Sequence, residues 1–204
     1  YPSLIWKPTQ YSSLHSEYND VNRYEQISDR VLVTATGEYA DFQEAVRKLR
    51  EVSHENFLFD DRVTHSVSDY ANYLQRISYE KRNNQNPYYN NFVIAGFENG
   101  KAHLSSVDLY GNHIAKDYIA AGFSKYFGLA TIANEWNATK TFEECRAILL
   151  KCFKVIYERD CHSTDQFQLA TVTASGVTVF PPEKVESDWD FKDFRERKNE
   201  KLWQ

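Results

Sequence analysis

The sequence predicts an α+β fold in which two antiparallel sheets pack face to face beneath helix pairs, and three observations predict it. Residues 31–36 form a β-branched run that stops at Gly37, as a buried strand does. Runs at 92–97, 102–109 and 113–119 follow one another across turn residues, and Asn99-Gly100 supplies the positive φ that a tight hairpin needs. Helical segments in two pairs repeat apolar residues at intervals of three and four, so each carries a stripe to bury. Antiparallel hairpins make sheets with two faces to cover, and helices outside two packed sheets bury every stripe at once.

In chain order, residues 1–14 contain Pro2 and Pro8 without periodicity and read as part of an extended arm, bounded at residue 17. Residues 18–27 mix polar and apolar types with no clean period. After the strand at 31–36, Tyr39, Phe42, Val46 and Leu49 share one face of a helix, and Val67, Tyr70, Leu74 and Ile77 mark a second. The polar run 81–87 ends it, because Pro87 forbids continuation. Beyond the three strands, residues 124–136 predict a third helix.

The fourth helix is the clearest. Thr141 and Glu144 stand at capping-box spacing, where hydroxyl and carboxylate each satisfy a backbone N–H left over at the helix start. Phe142, Cys145, Leu149, Phe153 and Ile156 form its apolar stripe. A polar corner at 158–166 gathers Arg159, Asp160, His162, Ser163 and Asp165, a place where chemistry could sit. Strands at 167–173 and 177–180 follow, and Pro181-Pro182 stop the sheet, so the folded domain is expected over 18–182. The remainder, 183–204, is charge-rich with Phe191 and Phe194, and reads either as a solvated tail or as a docking arm.

A chain of 204 residues is expected to form one domain with a core that needs no staples. With 24 basic against 29 acidic residues and no basic run, it lacks the clustered cations that phosphate contacts require, so no nucleic-acid partner is expected. No stretch of about 18 apolar residues exists to span a membrane. Residues 1–10 show no apolar secretory core, so Cys145, Cys152 and Cys161 read as reduced apolar residues of an intracellular protein. On the same grounds the glycosylation sequon Asn137-Ala138-Thr139 carries no meaning.

Catalytic signatures are sparse. There is no dinucleotide or phosphate loop and no Gly-x-Ser-x-Gly elbow; His54-Glu55 opens like a zinc-protease motif, but Leu58 stands where the second ligand belongs. The six histidines lack ligand spacing, and neither metal nor cofactor is expected. The 14 Tyr, 13 Phe and 4 Trp serve either the core or protein interfaces, where a large apolar body with a polar tip is useful.

Several segments carry a family resemblance. Thr36-Gly37-Glu38-Tyr39-Ala40-Asp41-Phe42-Gln43, Asn86-Pro87-Tyr88-Tyr89-Asn90, Val93-Ile94-Ala95-Gly96-Phe97 and Val107-Asp108-Leu109-Tyr110-Gly111 resemble, in this order, segments of 20S proteasome beta subunits. Tyr157-Glu158-Arg159-Asp160, Phe167-Gln168-Leu169-Ala170-Thr171-Val172-Thr173 and Trp189-Asp190 continue the likeness, which covers roughly residues 18–190. The resemblance implies a four-layer αββα sandwich of the N-terminal nucleophile hydrolase type. In catalytic members an N-terminal Thr attacks, its own amine is the base, and a Lys lowers the amine's pKa.

Carried onto this chain, that pattern is degenerate. Tyr1 stands first, and neither Thr9 nor Thr34 begins a mature chain; residues 1–10 do not look like the family's first two strands. An ungapped match to Gly37 places Arg23 at the Lys position, and a guanidinium cannot tune itself by deprotonation. Phe123, within Gly122-Phe123-Ser124, replaces the Ser of a Gly-Ser-Gly corner, while Asp160 and Ser163 are retained with Thr164 and Asp165 in place of glycines. Asp160 and Ser163 are expected to hold the turn structurally, by side-chain to backbone bonds.

The resemblance therefore implies a non-catalytic subunit that forms wall in an inner ring of a particle for ATP- and ubiquitin-dependent protein degradation in cytoplasm and nucleus. Its partners would be neighbouring beta subunits, an alpha subunit, and the opposite beta ring. Trp189, Phe191, Phe194, Leu202 and Trp203 of the C-terminal segment are the residues expected to reach that opposite ring. Two other readings stand beside it: an active threonine peptidase whose nucleophile strand lies outside this sequence, and a free-standing hydrolase-like domain that binds protein through its aromatics.

Overall fold

The computed structural model describes residues 3–8, 22–59, 65–160 and 163–187. One sheet runs in the order β2 (Tyr24–Ser28), β3 (Val31–Gly37), β4 (Asn90–Glu98), β5 (Lys101–Val107) and β6 (His113–Ala115), antiparallel throughout. Its β4–β5 hairpin closes on Asn99 and Gly100 at φ 51° and 76°, the left-handed pair that matches the twist of the strands. The second sheet centres on β7 (Gln166–Thr173), with β1 (Ser3–Pro8) on one side and β8 (Gly176–Val179) and β9 (Glu183–Lys184) pairing with β7 as well.

Alternation along β3 and β4 sends side chains to two different layers. Val31, Val33, Ala35, Phe92 and Ile94 face the helices α1 (Tyr39–Phe59) and α2 (Val67–Asn83), whose Phe42, Val46, Leu49, Tyr70, Leu74 and Ile77 complete one core. Leu32 and Ala95 point the other way and meet Ala170 and Val172 of β7, which is the sheet-to-sheet interface. On the far side, Phe167 and Leu169 pack against Phe153 of α5 (Phe142–Arg159), and α4 (Leu129–Glu135) leans on α5 through Ile132, Ile148 and Cys152. The layers are thus helix pair, sheet, sheet, helix pair, as the sequence predicts.

Several elements differ from expectation. Ser3–Pro8, read as part of an extended arm, is a sheet strand in register from Ser3↔Val172 to Pro8↔Phe167. Its partner lies at the far end of the chain, so no local signal announces it. Likewise β2 lies in the stretch without a clean period, and β9 returns to β7 beyond Pro181-Pro182, which interrupt the sheet without ending it. The third helix is two short ones, α3 (Ser124–Phe127) and α4, broken at Gly128. There a Cβ would lie 3.2 Å from the Ser124 carbonyl and 3.4 Å from Cys152 Cβ. The strand expected over 113–119 stops at Ala115.

The α1–α2 pair is clamped by charge around a buried ring. Lys81 Nζ lies 2.9 Å and Lys48 Nζ 3.5 Å from Glu44 Oε1. Both ammoniums also sit over the Tyr88 ring, 5.0 and 5.9 Å from its centroid, a cation–π arrangement. The Lys81 bond holds the Glu44 carboxyl below its ordinary range, and burial followed by the Glu44 charge raises the Tyr88 phenol well above its own.

Both long second helices of each pair begin with capping boxes. Ser66 and Asp69 exchange bonds of 2.8 and 3.0 Å, and Thr141 and Glu144 exchange bonds of 2.8 and 3.3 Å, the second as the sequence predicts. In each, the capping residue's backbone N–H is the first cause of a lowered carboxyl pKa. A carboxyl depressed in the folded state adds stability above its unfolded pKa and loses it as pH falls through the folded one. Below about pH 4 both caps should therefore weaken. Urea midpoints of the protein and of Asp69→Asn and Glu144→Gln variants should accordingly differ at neutral pH and converge on acidification.

Packing of α2 on β4 rests on a missing side chain. A Cβ on Gly96 would stand 2.3 Å from Val67 Cγ2 and 3.1 Å from the Arg30 carbonyl. Gly96→Ala should cost about 1–3 kcal/mol by overpacking. Val67→Ala in the same chain should recover part of that loss in a double-mutant cycle read by urea denaturation.

Candidate functional site

The four positions singled out from the sequence come from four places in the fold. Arg23 immediately precedes β2, Phe123 precedes α3, Asp160 caps the C-terminal end of α5, and Ser163 lies in the turn toward β7.

Arg23 is 8% exposed, and its side chain is tied to its surroundings by one backbone bond and one ring contact. Its Nη1 donates to the Gly37 carbonyl at 2.6 Å, and its guanidinium lies 5.7 Å from the centre of the Tyr39 ring. Its own carbonyl accepts from Thr34 Oγ1 at 2.7 Å and from the Ala35 N–H at 3.3 Å. Burial pushes the guanidinium below its ordinary pKa and the Glu38 carboxylate opposes this; an arginine still keeps its proton.

Gly37, which Arg23 holds, is itself conformationally committed. It has φ +110°, and a Cβ there would lie 2.0 Å from the Tyr89 carbonyl oxygen. Only glycine avoids both the left-handed penalty and that clash. The same junction is stitched by Glu38 N–H to Tyr89 O at 3.1 Å and Tyr89 N–H to Asp41 Oδ2 at 2.9 Å. Asn90 Nδ2 adds bonds to the carbonyls of Thr36 at 3.2 Å and Glu38 at 2.7 Å. Both segments stand out in the sequence, but their meeting joins residues 54 and 52 positions apart and has no local signal.

Phe123 is 46% exposed, so the ring at the hydroxyl's expected position faces outward rather than filling a core. The neighbouring Ser124 is buried, and its hydroxyl is tied back to its own loop, donating to the Ala121 carbonyl at 2.5 Å and accepting from the Ala121 N–H at 3.1 Å.

Asp160 and Ser163 are brought together. The Asp160 carbonyl accepts from the Ser163 N–H at 3.0 Å and from Ser163 Oγ at 2.8 Å, with Tyr157 O at 3.4 Å from the same hydroxyl. The hydroxyl thus closes the last turn of α5, satisfying a helix-end carbonyl. Cys161 and His162 of this corner, and Trp189, Phe191, Phe194, Leu202 and Trp203, lie outside the described residues. Among the described residues no three His, Cys, Asp or Glu side chains converge as metal ligands, and no helix is long and apolar enough to cross a membrane.

Two antiparallel sheets packed between helix pairs, with a strand–glycine–helix junction at Gly37, define an αββα sandwich of the N-terminal nucleophile hydrolase type. The proteasome subunit family model matches residues 7–172, and the chain belongs to that family. Among its relatives, proteasome subunit beta type-4 of Arabidopsis thaliana is 34% identical over 87% of this chain and 72% of the relative. The Xenopus laevis protein of the same name is 33% identical over 88% and 75%. The probable proteasome subunit beta type-7 of Schizosaccharomyces pombe is 30% identical over 89% and 71%.

If Arg23 holds the junction, then Arg23→Leu, which removes a charge-assisted hydrogen bond to the Gly37 carbonyl, should cost about 1–3 kcal/mol. Arg23→Lys should recover only part of this, since an ammonium lacks the planar fork that both bonds Gly37 and stacks on Tyr39. Chemical denaturation of the three proteins orders them.

Proposed function

We propose that this chain is a non-catalytic beta subunit of the 20S proteasome core particle, contributing wall and contact surface to an inner ring rather than a nucleophile. The observation that carries the reading is the engagement of Arg23 with the Gly37 carbonyl at 2.6 Å. Threonine catalysis by the N-terminal amine needs a basic side chain free to tune that amine. Here the position expected for it holds a permanently charged group committed to the backbone. The outward ring of Phe123 and the turn-closing hydroxyl of Ser163 agree with it. The type-4 names of the Arabidopsis and Xenopus relatives support the branch, which is the one the segment wording resembles: the seventh beta subunit, beta type-4 in the human series.

In this role its partners are neighbouring beta subunits and an alpha subunit, with residues 189–204 reaching the opposite ring, and its site of action is cytoplasm and nucleus. The test is to isolate the assembled particle and treat it with an epoxyketone that traps N-terminal Thr. This subunit should co-purify in a particle many times its own mass and stay unlabelled while other beta subunits are modified. Covalent labelling of this chain would establish the active-peptidase reading instead. Migration as a free monomer would sink the subunit role itself.

A further inference from the structure

After β8 the chain returns to the second sheet once more, over a very short span. Pro181-Pro182 turn it with their φ angles fixed, and Glu183 and Lys184 pair with Phe167 and Gln166 of β7. Two residues hold a strand poorly by ladder bonds worth about 1 kcal/mol each. The span is gripped from both sides instead. Cross-strand partners share a face of a sheet, so Glu183 stands with Phe167 on the side of α5, where its carboxylate meets the Arg146 guanidinium. Lys184 turns to the other face, and its Nζ lies 3.5 Å from Asp165 Oδ2. The Val185 N–H donates to the Asp165 carbonyl at 2.8 Å, and the Val185 side chain joins Phe142, Leu150 and Phe180 in the cluster against α5.

The two ion pairs do little for the stability of the domain. The side chains of Arg146 and Glu183 are 31% and 40% exposed and that of Lys184 71%, and exposed pairs contribute about 0–1 kcal/mol. Their larger effect is geometric, because they hold the chain against α5 at the point from which its last residues depart. A segment tethered at a fixed point meets its target at an effective concentration that falls as the free length of tether grows. Releasing residues 181–187 would lengthen that tether and remove its starting direction.

We propose that Arg146 is a positioning residue for the C-terminal segment: through Glu183 it pins the chain to α5, so that residues 189–204 start from one place when this subunit meets the opposite ring. The inference rests on the subunit reading above and extends it to a helix residue far from the segment in sequence.

The test is made in the assembling particle, with this subunit supplied as the unmodified chain, as Arg146→Glu, as Glu183→Arg, or as both together. Joining of half-particles is timed by native gel electrophoresis. Each single reversal should slow joining about twofold or more, the double reversal should return it toward the unmodified rate, and deletion of residues 189–204 should slow it at least as much as either single change. Urea midpoints of the four full-length chains should stay close together. Single reversals that join at the unmodified rate overturn the proposal and leave the subunit reading intact. A defect that the double reversal does not relieve, or that follows a matching fall in urea midpoint, makes Arg146 merely structural and overturns it too. Normal joining after the deletion leaves nothing to position, with the same result. Absence of the unmodified chain from half-particles and full particles alike would instead remove the subunit reading itself.

Discussion

The carbonyl of Tyr89 approaches Gly37 so closely that no side chain fits between them, and much of the molecule is arranged around that approach. Four chain segments converge on it. β3 ends there, α1 begins there, the loop after α2 and the start of β4 deliver Tyr89 and Asn90, and the residue before β2 reaches across with a guanidinium. Together these bonds pair backbone donors and acceptors at the junction. The junction therefore sets the angle at which α1 leaves the sheet, and with it the position of the Phe42, Val46 and Leu49 stripe over β3.

That constraint also bears on what the chain does. A basic side chain beside a nucleophile has to offer its charge to the reacting groups, whereas the one at position 23 spends its directional capacity on holding the main chain. The hydroxyls at or beside the other expected positions are similarly turned onto their own backbone: Ser124 onto Ala121, Ser163 onto the end of α5. A frame built for hydrolysis has in this reading become a frame for shape, and such a subunit is judged by its surfaces. Exposed Tyr79, Tyr89, Tyr110 and Tyr126 give it an aromatic exterior of the kind that protein interfaces favour.

How far the sequence disclosed this depends on the range of each signal. The capping box at Thr141 and the Asn99-Gly100 hairpin are written in adjacent residues, and both are present as read. The four-layer order followed from counting stripes that need burial. Strand β1 was illegible because its partner β7 lies beyond the reach of a local pattern, and β9 because two residues carry no period. The break at Gly128 was hidden as well: an isolated glycine is tolerated in helices, and only the proximity of Cys152 gives this one its meaning. At the site, residue identities could be lined up in one dimension, but the bond from Arg23 to Gly37 crosses the β2–β3 turn and exists only in space.

The pairing of Ser3 with Val172 carries a temporal consequence. The β2–β6 sheet is made of hairpins and one crossover through α1 and α2, so its contacts close over shorter spans of chain. The other sheet cannot exist until β7 does, and on a ribosome that releases the N-terminal end first, β1 waits through the synthesis of nearly everything between. Contacts of such long sequence separation are the slow ones to form. The molecule is thus built as one half that can mature early and a second half that is completed only when the last third of the chain returns to its beginning.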